Sequence, residues 1–191
     1  MKMLRNFTIR FVMLTILGIF CVMWAGVGLY STWSLSRVSD GNEVDRQLVR
    51  QMTVLSQGND QYFRFVTRLS RAMEVKAAGG TPDLASAQQA LDNMSKKLAE
   101  MKAISPGPMD EKVSAQVIST WQALLDQGVT PQMAQAKQAT IEGYRQHANN
   151  VTPPLSRAFG AAAENFNNTA AKALDSTRVV VDSLTSMTRT V

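Results

Sequence analysis

Apolar residues recur every three or four positions along most of the chain after residue 32, which is the spacing of one face of an α-helix. The first periodic segment predicts a helix over about residues 33–78, ended by Gly79 and Gly80. A second helix over about 83–103 follows the sequence TPD, which supplies a cap and an early proline. Its apolar positions alternate as in a coiled-coil seam: Leu84, Ala87, Leu91, Met94, Leu98 and Met101.

The second half of the chain predicts two more helices. The third covers about 109–142 and has a kink near 128–131, where QGVTPQ interrupts the pattern. The stretch from Gly143 to Pro154 has no periodicity and is predicted to be a loop. The fourth helix, about 153–191, keeps its alternation to the last residue. With no strand pattern beside them, the four helices predict an all-α fold, an antiparallel four-helix bundle.

A long uncharged run lies ahead of the bundle. Residues 11–30 form an unbroken run of 20 uncharged residues. As a helix this run is about 30 Å long, which matches the hydrocarbon thickness of a bilayer. Lys2, Arg5 and Arg10 precede it, which favours a cytoplasmic N-terminus. We therefore predict a cytoplasmic segment 1–10, a transmembrane helix 11–32 and an external domain 33–191. The alternative is a cleaved signal peptide, whose apolar region is normally shorter.

The fourth helical pattern is still in phase at Val191. We therefore expect the sequence to be part of a longer protein, with a second membrane span and a cytoplasmic region following it.

Composition narrows the possible functions. The formal net charge of +5 is concentrated near the N-terminus rather than in a basic patch, which argues against nucleic-acid binding. The single cysteine, Cys21, lies in the apolar run, so the external domain must be stabilised by packing without disulfides. The one histidine, His147, has no catalytic partner, and no metal or nucleotide motif is present. We expect no enzyme activity, no metal and no cofactor.

The first helix carries an unusual group of cations. On a helix Arg68 lies about 40° from Arg64 and Arg71 about 20° on the other side, so the three form one arginine stripe. Asp60 and Glu74 are placed to pair with two of them, but no acid lies three or four residues from Arg68. The stripe is either a solvated face with acids supplied by another helix, or a site for carboxylates, which guanidinium groups bind in a bidentate manner.

Two sequences resemble a known family. TRLSR at Thr67–Arg71 is similar to the arginine-bearing first helix of methyl-accepting chemotaxis receptors of the aspartate-receptor type, and VTPPLSRAFGAAAENF at Val151–Phe166 resembles the start of their fourth helix. The order of anchor and helices is also similar. The resemblance implies a homodimer formed through the first helix, a periplasmic sensor domain on the bacterial inner membrane and a small carboxylate ligand.

The resemblance also implies a ligand site at the dimer interface. In that family, first-helix arginines of both subunits hold carboxylates, which assigns this role to Arg64, Arg68 and Arg71. A threonine before the fourth helix corresponds to Thr152, and carbonyls that meet an ammonium group fall at His147 and Asn150. Tyr144 and Arg145 offer additional contacts. The arginines are spaced more closely than in the family, so malate or citrate is as plausible a ligand as aspartate.

We therefore expect the sensor segment of a chemotaxis receptor, which controls a cytoplasmic histidine kinase through a coupling protein. Alternatives keep the fold and change the role: the sensor of a membrane histidine kinase or cyclic-dinucleotide enzyme, a receptor read through a separate binding protein, or a structural bundle.

Overall fold

A computed structural model describes the backbone of residues 42–189 and the side chains of residues 42–176. Every regular element within that range is helical. No helix in the described range is both long enough and apolar enough to cross a membrane. The predicted membrane span, 11–32, lies outside the described residues.

The first two helices agree with the periodic pattern. Helix α1 is described over residues 42–77, and the chain then turns at Gly79, whose φ of 83° is one that residues with a side chain rarely adopt. Helix α2 runs over Ala85–Ile104. The carboxylate of Asp83 accepts a hydrogen bond from the Ala85 N–H at 2.9 Å. The N-cap residue is Leu84, which forms no side-chain cap bond, and Pro82 precedes the helix, so TPD lies ahead of α2 instead of beginning it.

The third rod of the bundle consists of three joined segments rather than a kinked helix. Helix α3 covers Glu111–Ala123, a π-helical turn covers Leu124–Val129, and helix α4 covers Thr130–Ala136. Pro131 has no N–H to donate and would break an ordinary α-helical ladder. The wider π turn, in which the Thr130 N–H bonds the Leu125 carbonyl, carries the chain past it without a break.

The third rod ends earlier than predicted, and the predicted loop is largely helical. Instead of continuing to residue 142, α4 stops at Ala136, where the ammonium group of Lys76 binds the carbonyls of Ala136 and Gln138. Helix α5 then covers Glu142–Asn150. The expectation of a loop was wrong because Ile141, Tyr144 and Ala148 form a short apolar face that packs on the core.

Helix α6 covers Thr152–Arg189 and completes the bundle. Its predicted apolar positions Phe159, Phe166 and Ala170 are buried, whereas the side chains from Thr177 onward lie outside the described set. Helices α1, α2, the α3–π–α4 rod and α6 pack around one core and form the predicted four-helix bundle. Short α5 connects α4 to α6 in the chain and packs against both.

Candidate functional site

A cavity of about 510 Å³ opens where α1, α5 and the first turns of α6 meet. We call it the main cavity. Helix α1 supplies one wall through Tyr62, Val66 and Ser70, and Gln132 of α4 reaches it from the third rod. Tyr144 and Arg145 line this same space from helix α5 instead of from the predicted loop. The main cavity therefore draws on three of the four rods.

The charges around the main cavity are all positive. Arg145 of α5 and Arg157 of α6 line it, and no acidic side chain does. Both arginines are exposed and neither forms an ion pair within the described part of the chain. Two unpaired guanidinium groups facing one cavity are suited to an anion, and carboxylates match their geometry.

Buried polar side chains form the inner part of the main cavity. Tyr62 and Tyr144 are 8% and 9% exposed, and Gln132 and Thr152 are 3% and 4% exposed. The Thr152 hydroxyl donates to the Oε1 atom of Gln132 at 2.8 Å. A hydrogen-bonded pair that is almost completely buried holds both side chains in fixed positions, so the inner wall is preorganised.

A smaller cavity of about 220 Å³ continues from the main one along α1. The two share Ser70, Tyr144 and Arg145, and the smaller one also has Glu74 and Ala77 of α1 in its wall. Glu74 is exposed and has no ion-pair partner among the residues described. The two cavities form one trough along α1, with Arg157 in the main cavity, Arg145 lining both cavities and the carboxylate of Glu74 in the smaller one.

The arginine stripe lies elsewhere on α1. Arg64 donates to the Asp60 carboxylate at 2.7 Å, as its spacing predicts, whereas the described contacts include no pair between Arg71 and Glu74. Arg68 binds the carbonyl of Ser86 on α2 at 2.9 Å, so a backbone carbonyl takes the place of the expected acid.

None of the stripe residues lines the main cavity. Arg68 follows Val66 by two residues and therefore lies about 200° around the helix from it. The stripe and the main cavity are on different sides of α1 in the same chain. The ligand contacts of Arg64, Arg68 and Arg71 stay a prediction.

The remaining predicted site residues divide into two groups. Tyr144 and Thr152 line the main cavity, whereas His147 and Asn150 do not. The His147 Nε2 atom lies 2.8 Å from the Gly128 carbonyl of the π turn, and since a carbonyl only accepts, this nitrogen carries the proton. The backbone carbonyl of His147 accepts from the Val151 N–H within the end of α5. His147 thus fastens α5 to the third rod.

Sequence reasoning missed several residues of the main cavity, among them Gln132 and Arg157. Gln132 lies on the third rod, where no periodic or charge pattern distinguishes it from other glutamines. Arg157 had a usable signal, because it lies four residues after Pro153 and so on the same face of α6, one turn along.

The chain is similar to proteins of one family. The sequence profile of the Tar ligand binding domain homologues matches residues 3–174. A crystal structure of the N-terminal ligand-binding domain of a protein described as a methyl-accepting chemotaxis protein from Salmonella enterica is 64% identical. The match covers 70% of this chain and 98% of that one, with a TM-score of 0.69. No protein with a curated function matches. The chain belongs to the Tar ligand-binding-domain homologues, the sensor domains of chemotaxis receptors.

Proposed function

We propose that this domain binds a small carboxylate in the main cavity and reports it to the cell's chemotaxis machinery. The observation that carries the proposal is the pair Arg145 and Arg157, two guanidinium groups that line one cavity without an acidic partner. Leaving two cations unpaired in a concave site has no evident benefit to stability. An anion that bridges them would gain charge-assisted hydrogen bonds from both.

The start of α6 adds to this attraction. Thr152 and Pro153 of its first turn line the main cavity, so the positive end of a long helix faces the same space. Glu74, in the smaller cavity of the trough, is placed to meet an ammonium group. An amino acid such as aspartate is therefore compatible with the site, as are malate and citrate.

The proposal includes a homodimer formed through α1. Phe63 and Val49 are 59% and 51% exposed on α1, and both lie on the side of the helix between the main cavity and the arginine stripe. Packing this face against a second copy would bring the second copy's arginine stripe towards the main cavity. Within one chain the stripe cannot reach the cavity, so only the second copy could supply it. The ligand would then contact both subunits.

The proposed setting is the periplasmic side of a bacterial inner membrane, with residues 11–32 as the first span. A bound carboxylate would favour one arrangement of α1 and α6 over another through its different affinity for the two. The domain is a sensor rather than an enzyme. In the longer receptor that we propose, the signal passes to a cytoplasmic histidine kinase through a coupling protein.

The test is calorimetric titration of the whole 191-residue chain in lipid nanodiscs with aspartate, serine, malate, succinate and citrate. We expect at least one acid to bind, and Arg157→Ala to weaken it by about tenfold or more, the loss of a charge-assisted pair. Lys172→Ala is the matched control, because it removes an exposed cation from the same helix. Equal affinities of both variants and the wild type, or no heat from any acid, would refute the carboxylate site.

A further inference from the structure

Thr152 is already committed to another side chain. A hydroxyl has one hydrogen to donate, and that of Thr152 goes to the Gln132 Oε1 atom at 2.8 Å. A carboxylate oxygen offers only lone pairs and needs a donor. Thr152 therefore has no donor left for a carboxylate unless its hydrogen bond to Gln132 is broken inside a buried pair.

Gln132 has the donor that Thr152 lacks. The side chain is 3% exposed and lines the main cavity, and its Oε1 atom is held by Thr152. Its Nε2 group has no hydrogen-bond partner among the described residues. The protein does not enclose this nitrogen completely, so part of its surface stays accessible. With the rest of the side chain enclosed by protein, the cavity is the space left for Nε2 to face.

A buried amide donor without a partner is unfavourable in an apolar setting and is normally satisfied by protein, water or a ligand. Here the Thr152 bond fixes the amide plane and so fixes the direction of the two Nε2 hydrogens. The arrangement acts as a relay: the threonine donates to the amide oxygen, and the amide nitrogen donates onward into the main cavity.

We propose that Gln132, on the third rod, supplies the hydrogen-bond donor that meets an acceptor oxygen of the bound acid, and that Thr152 is a positioning residue acting through it. The inference rests on the proposed carboxylate function and specifies its ligand further. The acid must present two acceptor groups, a carboxylate for Arg145 and Arg157 and a second oxygen, from a hydroxyl, carbonyl or carboxyl group, for Gln132.

This arrangement also gives the third rod a direct ligand contact. Gln132 lies in α4, immediately after the π turn, and His147 ties that turn to α5. A ligand bound by Gln132 therefore contacts the α3–π–α4 rod as well as α5 and α6.

The test is a double-mutant cycle on the whole chain in nanodiscs, with aspartate, malate, succinate and citrate titrated separately. The variants are Gln132→Met, Thr152→Val, their combination, and Thr152→Ser. Gln132→Met should weaken binding about tenfold, and Thr152→Val several-fold. In the Gln132→Met background Thr152→Val should change the affinity less than twofold, because the residue it positions is gone. Thr152→Ser keeps the hydroxyl group and should bind the acid with wild-type affinity.

Two results would overturn the inference while leaving the proposed function standing. One is unchanged affinity in Gln132→Met when Arg157→Ala still weakens binding. The other is a full, additive loss from Thr152→Val in the Gln132→Met background, which would mean that the threonine contacts the acid itself. If the wild-type chain binds none of the acids, the proposed function fails and this inference fails with it. Gln116→Met, an exposed glutamine on α3, is the control and should bind normally.

Discussion

The indole ring of Trp121 lies directly against the backbone of Gly58. A Cβ atom at Gly58 would overlap the Cη2 and Cζ2 atoms of the ring. Trp121 is fully buried, and its ring is 5.3 Å from that of Phe159 on α6. Three rods of the bundle therefore meet at one aromatic contact, and α1 can approach closely only because residue 58 has no side chain.

Gly58→Ala should destabilise the domain by about 1–3 kcal/mol, because the added methyl group forces the indole out of a packed core. The matched control is Gly160→Ala on α6, where a Cβ meets nothing within 4 Å. That variant should gain up to about 1 kcal/mol from helix propensity alone. Urea denaturation of both variants measures the difference. Equal effects of the two substitutions would mean that the indole moves aside freely.

The bundle was predictable because its helices bury one face, and a periodic face is visible in sequence. Gly58 shows where such prediction ends. In the sequence it is only a weak helix former. The need for a glycine there comes from the Trp121 ring, which packs against it and is distant along the chain. Helix α5 was missed for a related reason: Ile141, Tyr144 and Ala148 form a face too short to stand out among glycine and asparagine.

The candidate site was predictable to a smaller extent. Thr152 was identified through the family resemblance and Tyr144 as a residue of the predicted loop, and both line the main cavity. The arginine stripe stood out through its charge, but a charge pattern does not reveal on which side of α1 a cavity opens. Gln132 could not be recognised, because its importance depends on a hydrogen bond to a residue in another rod.

The exposed ring of Phe63 yields a prediction about assembly. Its neighbours Tyr62 and Phe65 are buried, whereas Phe63 is 59% exposed. Phe63→Asp should weaken dimerisation by about tenfold or more, as expected for a central aromatic contact in an interface. Ala115→Asp is the control, since Ala115 is also exposed but lies on α3 rather than on α1. Sedimentation of the chain in detergent over a range of concentrations measures both. A dimer that tolerates Phe63→Asp would exclude this face of α1.

Glu100 gives a prediction about pH. A hydrogen bond from Lys97 at 2.9 Å, helped by the charges of Lys97 and Arg50, lowers the pKa of Glu100 below its usual 4.5. A lowered folded-state pKa means that the carboxylate stabilises the fold above its unfolded pKa, and that this contribution is lost as the pH falls through the folded value. The groups are partly exposed, with Glu100 35% and Lys97 32% accessible, so screening keeps the effect small.

Glu100→Gln should therefore cost about 0.2–1 kcal/mol at neutral pH. The difference from the wild type should disappear at an acid pH below the lowered pKa of Glu100, where both side chains are neutral. Urea denaturation at the two pH values measures it. Glu164→Gln, an exposed residue without an ion pair among those described, should show little change at either pH. A loss of stability in Glu100→Gln that persists in acid would assign the effect to packing rather than charge.

Arg68 tests whether the arginine stripe supports the fold. Its guanidinium group joins α1 to the first turn of α2 by donating to the Ser86 carbonyl at 2.9 Å, and the side chain is half-buried. Arg68→Met keeps much of the apolar stem and removes the charged donor, so we expect a loss of about 1 kcal/mol of unfolding free energy. Arg71→Met, which removes an exposed arginine without an ion pair in the described range, should stay within about 0.5 kcal/mol of wild type.

The same two variants separate stability from binding. If the second copy's stripe helps to hold the acid, Arg71→Met should weaken carboxylate binding although it leaves the fold unchanged. A variant with normal stability and reduced affinity cannot owe its defect to unfolding, so this residue would then belong to the site. Normal affinity in both variants, with Arg157→Ala still defective, would instead confine the site to the main cavity of a single chain. Denaturation and calorimetry on the same preparations distinguish these two arrangements.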